Sequence, residues 1–298
     1  MKEKFIDHKF SAESLELIKK CNGILVEYQR QGYRLSLRQL YYQLVSRDYI
    51  ENTVKSYKRV GDMVSNARLA GLLDWAMIED RGREVVENSH WRNPAGILRS
   101  AAYSFKMDKW VGQENYVEVF VEKDALSGIL LPVCREMDVR FTANKGYSSS
   151  SAMYEASNRF SKAATDEKYI HVIYLGDHDP SGIDMTRDIT DRFELFTRGG
   201  VGINVHRLAL NFDQVELWNP PENPAKESDS RYEDYARKFG ESSWELDAVE
   251  PATLAGLVRD QIRELIDTDA WAEVTAKETE YIEELQRLAH NSEGDDDD

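Results

Sequence analysis

Three acidic residues follow two hydrophobic segments that have the pattern of buried strands. Glu122 ends the segment 117–122, and Asp177 and Asp179 directly follow the segment 170–175. Because ligands of open α/β sheets bind beyond the carboxyl ends of the strands, we expect these three side chains to converge there. Carboxylate oxygens suit Mg²⁺, with Mn²⁺ as the alternative, and such ions keep positions for substrate phosphates. The sequence therefore predicts a divalent-metal site for phosphate chemistry.

Each acid also has a purely structural interpretation. The run 177–180, Asp-His-Asp-Pro, suits an ordinary turn with a helix cap, and Glu122 is placed to pair with its neighbour Lys123. We favour the metal site because all three acids lie at strand-to-helix transitions. Two lysines and a helix start are candidate phosphate-binding groups at the same edge. They are Lys123, Lys145 and Ser181.

The second part of the chain alternates strand and helix patterns, which predicts an α/β fold with a mostly parallel sheet. Strands are predicted at 116–122, 139–143, 170–175 and 203–209. The first strand is followed by a helix at 124–137, the second by a helix that ends near residue 163, and the third by a helix that ends near residue 197. Residues 220–224 are predicted to form a loop, and about the last 70 residues are predicted to be mainly helical.

The first part reads as a winged helix-turn-helix. Helices are predicted at 11–31, 36–47 and 53–70, followed by a β wing over 72–83. We expect one domain over 1–110 and a second over 111–298. The third helix presents basic side chains for DNA phosphates, although a basic helix face is often simply solvated. They are Lys55, Lys58, Arg59 and Arg68.

Tyr42 is the candidate nucleophile of the second helix. Leu37, Leu40, Tyr41 and Leu44 form its core stripe, so Tyr41 is predicted to be buried. Tyr42 lies off that stripe and is predicted to be exposed, with Arg38 on the same face. A phenol with a pKa of about 10 needs such a cation to act near neutrality. The alternative is that Tyr42 packs against another element and Arg38 contacts solvent, and on these residues alone we favour that alternative.

The charge distribution is compatible with DNA binding although the net charge is −16. Residues 1–110 contain 19 Lys and Arg against 14 Asp and Glu, so the acidic excess lies downstream, partly in the tail 293–298. The two cysteines are far apart, and neither a secretory signal nor an apolar run of about 20 residues is visible. We expect a cytoplasmic protein without membrane contact.

The motifs together resemble two related families. Glu122 with Asp177-His-Asp179 is similar to the Toprim domain of topoisomerases and primases. Lys145-Gly-Tyr-Ser and Asp179-Pro-Ser-Gly are similar to the topoisomerase VI type of that domain. Arg38-Gln-Leu-Tyr-Tyr42 ahead of it resembles the A subunit of topoisomerase VI and its meiotic double-strand-break relative, and the segment 244–249 loosely resembles a later part of that family.

This resemblance implies an activity, a cofactor and partners. Tyr42 would cleave double-stranded DNA and form a 5′-phosphotyrosyl link, with Arg38 as its partner and Mg²⁺ held by Glu122, Asp177 and Asp179. A homodimer would cut both strands. No P-loop motif is present, so any ATP dependence would come from a separate ATPase subunit. The chain is shorter and more acidic than typical A subunits. The alternatives are a hydrolytic Toprim nuclease and a DNA-binding factor without catalytic activity.

Overall fold

The computed structural model describes residues 2–79, 88–144 and 149–292. In these ranges the helices are α1 (Ala12–Arg30), α2 (Leu37–Ser46), α3 (Val54–Leu69), α4 (Pro94–Ser104), α5 (Ser127–Glu136), α6 (Ser150–Thr165), α7 (Pro180–Thr197), α8 (Phe212–Trp218), α9 (Tyr232–Phe239), α10 (Pro251–Arg263) and α11 (Thr268–Asn291). The strands are β1 (Leu35–Ser36), β2 (Ile78–Glu79), β3 (Asn115–Val121), β4 (Arg140–Ala143), β5 (Tyr169–Leu175), β6 (Ile203–Ala209), β7 (Glu222–Pro224) and β8 (Ser242–Trp244). None of the described helices has both the length and the apolar character needed to cross a membrane.

Helices α1 to α3 begin where the sequence offers capping hydroxyl groups. Ser11, Ser36 and Thr53 each accept a hydrogen bond from the backbone amide three residues later, at 3.1, 3.3 and 3.1 Å. The three predicted amino-terminal helices are confirmed. Their apolar faces enclose a single core, which also contains Ala248 from the far end of the sequence.

The segment after α3 differs from a simple β wing in its described part. Residues Trp75–Met77 form a 3-10 turn, and Asp74 accepts a hydrogen bond from Ala76 N at 2.9 Å. Strand β2 then pairs in parallel with β1. Residues 80–83 of the predicted wing lie outside the described residues. The winged helix therefore stays a prediction.

The carboxyl-terminal part is built on a four-stranded parallel sheet with strand order β4-β3-β5-β6. Helices cover both faces of the sheet. Successive strand residues point to opposite faces, so each strand contributes to two cores. Val119 and Ile173 lie in the core on one face, and Phe120 and Tyr174 lie in the core on the other. The predicted α/β fold and the four predicted strands are confirmed. Strands β3 and β5 are neighbours, with Val121 opposite Leu175, so both end at the same edge.

A carboxyl-terminal segment crosses this edge and reaches the amino-terminal helices. Strand β8 pairs with β7 in an antiparallel hairpin, and Trp244 also forms a β-bridge with His178. The 3-10 turn Leu246–Ala248 then contacts α2. Most of the described residues beyond 228 are helical, as predicted, and the predicted loop at 220–224 contains β7.

Candidate tyrosine and metal site

Glu122 and Asp177 meet at the carboxyl edge of the sheet. Glu122 N donates to Leu175 O at 2.9 Å, which extends the β3–β5 pairing by one step. Asp177 N donates to the Glu122 carboxylate at 2.9 Å. Both side chains are buried. Burial and the nearby Asp177 charge raise the pKa of Glu122 to about 7.

Two glycines allow the backbone to pass this close to the acids. A Cβ atom on Gly176 would lie 2.4 Å from the Tyr174 hydroxyl and 2.8 Å from Glu122 Oε2. A Cβ atom on Gly182 would lie 2.3 Å from the backbone oxygen of Asp177. Side chains at either position would clash with these atoms, so the loop from 176 to 182 depends on both glycines.

Asp179 is the helix cap of α7. Its Oδ1 atom accepts hydrogen bonds from Gly182 N at 2.6 Å and from the Ser181 hydroxyl at 3.0 Å. Asp179 therefore has the helix-capping role that the sequence offers as the alternative to metal binding. Among the described residues, Asp179 is not part of the group of three acids whose oxygens lie within 4.8 Å of one another. The Ser181 hydroxyl, a predicted phosphate ligand, is engaged with Asp179.

A second acidic group lies beside Asp177, and its other two members are not among the predicted site residues. Carboxylate oxygens of Asp177, Glu245 and Asp247 lie within 4.8 Å of one another. The cluster is held in place because Leu246 N donates to Asp177 Oδ1 at 2.8 Å. Hard oxygen donors in this arrangement fit a divalent cation. We refer to these three residues as the acidic cluster.

The ammonium group of Lys123 neutralises part of the acidic cluster. Its Nζ atom lies 2.7 Å from Asp177, 2.5 Å from Glu245 and 3.4 Å from Asp247. Burial raises the pKa of Asp247 to about 6, although Lys123 and Arg38 oppose the shift. Burial acts in the same sense on Glu245, but there the two cations prevail and lower its pKa. Lys123 therefore binds carboxylates in this structure, where the sequence predicts phosphates.

Arg207 and His178 hold the loop that carries Asp177. The Arg207 guanidinium donates to the backbone oxygens of Gly182 at 2.8 Å and Asp177 at 2.6 Å. The His178 ring is buried among four aromatic rings, and its Nδ1 atom lies 2.8 Å from the Tyr235 hydroxyl. Burial lowers the pKa of His178 to about 4, so the ring is neutral at physiological pH.

Tyr42 is buried, and the prediction of an exposed tyrosine is wrong. Only 3% of the residue is exposed, because the β7–β8 hairpin and the turn that follows cover this face of α2. Asn223 Nδ2 lies 3.5 Å from the Tyr42 hydroxyl. Burial and the charge of Glu245 raise the pKa of Tyr42 to about 12, against the effect of Arg38. The phenol is therefore protonated at neutral pH.

The other expectations for α2 agree with the structure. Tyr41 is buried, and its hydroxyl donates to Asn52 at 2.9 Å. The Arg38 guanidinium lies 5.8 Å from the centre of the Tyr42 ring. Arg38 also forms ion pairs with Glu245 and, at 3.0 Å, with Asp247. It thereby links α2 to the acidic cluster.

Tyr42 and Arg38 line a cavity of about 380 Å³. Helix α2 supplies one wall, and the start of α3 and the β7–β8 hairpin supply the others. The remaining lining residues are Tyr41, Asn52, Thr53, Val54, Tyr57, Asn223, Pro224 and Glu245. The hydroxyl-bearing ring and the guanidinium thus face the same space, which lies next to the acidic cluster.

The four predicted basic residues of α3 are arranged unequally. Lys55 and Lys58 are exposed and have no ion pair within the described parts of the chain. Arg59 pairs with Glu13 at 2.5 Å on the surface. Arg68 donates to the backbone oxygen of Trp75 at 3.0 Å and packs over its ring. Lys145, the other predicted phosphate ligand, lies outside the described residues.

No protein-family model matches this sequence, and a search of curated proteins finds no relative.

Proposed function

We propose that this protein cleaves double-stranded DNA by metal-dependent tyrosine transesterification, in the manner of the A subunit of topoisomerase VI. One observation supports the proposal above others: a chain of ion pairs connects the candidate nucleophile's neighbour Arg38 to the strand-end acid Asp177. Arg38 beside Tyr42 pairs with Glu245, Glu245 pairs with Lys123, and Lys123 pairs with Asp177. The amino-terminal part is the proposed winged helix, and the parallel-sheet part is the proposed Toprim domain.

In the proposed reaction the Tyr42 oxygen attacks a backbone phosphorus. The bond from phosphorus to the 3′ oxygen breaks, which leaves a 5′-phosphotyrosyl link and a 3′ hydroxyl that has taken up a proton. The phenol loses its proton in the same step. Arg38 stabilises the phenolate through its positive charge, and its planar guanidinium also matches the geometry of the attacked phosphate.

The strand-end acids would hold the divalent ion, Mg²⁺ or Mn²⁺. The predicted ligands are Glu122, Asp177 and Asp179, and the acidic cluster offers Glu245 and Asp247 next to Asp177. A bound divalent ion acts as a Lewis acid at phosphate oxygens. The two ligand sets share Asp177. The protein's own contribution is to fix that carboxylate between the Leu246 amide and Lys123.

The partners follow from the same proposal. Lys55 and Lys58 on α3 are exposed for contacts with the DNA backbone. A homodimer would bring two such sites to the two strands, one cut by each protomer. A separate ATPase subunit would supply any ATP dependence.

Hydrolytic cleavage is the second candidate, and the burial of Tyr42 favours it. A phenol with a pKa of about 12 and an exposed fraction of 3% is a poor nucleophile as the structure stands. Water at the strand-end acids would need no such residue. Transesterification requires the β7–β8 hairpin to move away from α2, whereas hydrolysis does not.

Cleavage of supercoiled plasmid distinguishes the two reactions. The reaction with Mg²⁺ or Mn²⁺ is stopped with detergent and tested for protein attached to 5′ ends. Under transesterification, Tyr42→Phe abolishes both nicking and attachment, whereas Tyr103→Phe, at an exposed tyrosine of α4, preserves both. If nicking persists in Tyr42→Phe without attached protein, hydrolysis is the reaction. Absence of any nicking by the wild-type protein with either metal would refute both.

A further inference from the structure

A single oxygen atom of Glu245 contacts two cations from distant parts of the chain. Its Oε2 atom pairs with Arg38 Nη2 and lies 2.5 Å from Lys123 Nζ. Arg38 belongs to α2, and Lys123 follows β3 by two residues. Two cationic donors that converge on one anionic oxygen form the arrangement that binds a non-bridging phosphate oxygen.

We propose that Arg38 and Lys123 form a phosphate-binding subsite, that Glu245 occupies this subsite in the free protein, and that a DNA backbone phosphate displaces the Glu245 carboxylate. The inference rests on the DNA-directed function proposed above. It adds that the Glu245 carboxylate competes with DNA for Arg38 and Lys123, so a DNA phosphate must displace this side chain before it reaches Tyr42.

The exchange preserves the local charge. Arg38 and Lys123 carry two positive charges, and the three carboxylates of the acidic cluster carry three negative ones. A phosphodiester brings one negative charge, which is the charge that Glu245 withdraws. No additional buried charge is created, so the desolvation cost that opposes burying an unpaired ion is avoided.

Glu245 is the member of the acidic cluster that can leave. Its side chain is 23% exposed, whereas those of Asp177 and Asp247 are 9% and 0% exposed. Glu245 can therefore reach water while the other two acids stay in place. Asp177 is further fixed by the Leu246 amide.

The ligand has a path to the subsite. The Arg38 side chain is 41% exposed, and it lines the same cavity of about 380 Å³ as Tyr42 and Glu245. A phosphate that replaces Glu245 between Arg38 and Lys123 is therefore next to the phenol. Displacement would thus place a DNA phosphate in the cavity that Tyr42 lines.

The test measures binding of a short fluorescent DNA duplex to the full chain in EDTA, where no metal-dependent cleavage interferes. Glu245→Gln keeps the shape of the side chain and removes its charge. We expect it to bind DNA about tenfold more tightly, the scale of one charge-assisted contact, and to steepen the salt dependence by about one ion. Glu241→Gln is the matched control, because Glu241 is exposed and close in sequence. We expect less than about a twofold change there.

A double substitution tests whether Arg38 is the cation that is released. In an Arg38→Gln background, the gain from Glu245→Gln should largely disappear, since no bidentate donor remains. Circular dichroism and thermal unfolding establish that each variant is folded. The proposal is overturned by an equal gain in Glu241→Gln, by an undiminished gain in the double variant, or by absence of duplex binding in every variant.

Binding without metal separates this inference from the proposed function. A protein that nicks plasmid but shows no specific gain in Glu245→Gln refutes the subsite alone. A specific gain in a protein that never nicks DNA supports the subsite and refutes the cleavage function.

Discussion

Lys123 holds the acidic cluster together, and its replacement by methionine should destabilise the protein in a pH-dependent manner. Methionine preserves most of the length of the side chain and removes the charge that contacts all three carboxylates. Removal of one partner from a buried ion pair costs about 3–5 kcal/mol. Because the Lys123 side chain is 21% exposed, solvent reduces that cost, and we expect a loss of about 3 kcal/mol near pH 8.

Acid should relieve the loss. Burial raises the pKa of Asp247 to about 6 and that of Glu122 to about 7 in the folded protein, above the usual carboxyl values. These groups therefore destabilise the fold when charged, and protonation removes the repulsion that Lys123 otherwise balances. Near pH 5 the loss should fall below about 1 kcal/mol. A divalent cation at about ten times its dissociation constant should restore about 1.4 kcal/mol near pH 8.

Urea denaturation of the wild-type protein and the variant, at both pH values and with and without Mg²⁺, measures these quantities. Lys162→Met is the matched control, because Lys162 is exposed on α6, and its effect should stay within about 0.5 kcal/mol. A loss that is equal at both pH values would refute the idea that Lys123 acts by balancing the carboxylates. Recovery in Na⁺ at the same ionic strength would refute a divalent site.

Three further predictions concern other parts of the fold. Gly182→Ala should lower the free energy of unfolding by about 1–3 kcal/mol in urea denaturation, because its Cβ atom would lie 2.3 Å from the backbone oxygen of Asp177. Gly256→Ala in α10 is the control, since a Cβ atom there meets open space, and it should be neutral or stabilising. Because the pKa of His178 is about 4 in the folded protein, below its unfolded value, stability should fall by about 3 kcal/mol as the pH drops from about 6.5 to about 4. His178→Phe should flatten that part of the pH profile, and an unchanged profile would contradict the assignment. Arg59→Gln should leave stability within about 0.5 kcal/mol, since its ion pair is exposed, but should reduce the salt slope of DNA binding by about one. A salt slope equal to that of the wild-type protein would show that Arg59 does not contact the DNA backbone.

Local sequence signals were sufficient for the sheet and for most helices. Capping hydroxyl groups at Ser11, Ser36 and Thr53 determine where α1 to α3 begin, and these depend on residues only three positions away. The two central strands, β3 and β5, each end in a continuous apolar run, residues 119–121 and 172–175, as expected when helices cover both faces. Their parallel pairing brings Glu122 and Asp177 together, which the strand-end rule anticipates.

The burial of Tyr42 could not be predicted in this way. A helical wheel identifies the face that packs on sequence neighbours, and Tyr42 lies off that face. Its cover comes from Asn223 and Glu245, which lie about 180 and 200 residues further along the chain. Contacts with such distant residues do not change the hydrophobic periodicity of α2, so the sequence of α2 does not indicate them. A weak local signal for the acidic cluster exists, because Glu245 and Asp247 alternate with the apolar residues Trp244 and Leu246.

The placement of Ala248 in the amino-terminal core has a consequence for dissecting the protein into fragments. A piece that ends near residue 110 would keep α1 to α3 but would expose the surface that Ala248 covers, and it would leave Arg38 without either carboxylate. It would also separate α4 from α11, its packing partner. Proteolysis or cloning at this point should therefore yield poorly folded halves, and calorimetry of the intact chain should record one joint melting transition.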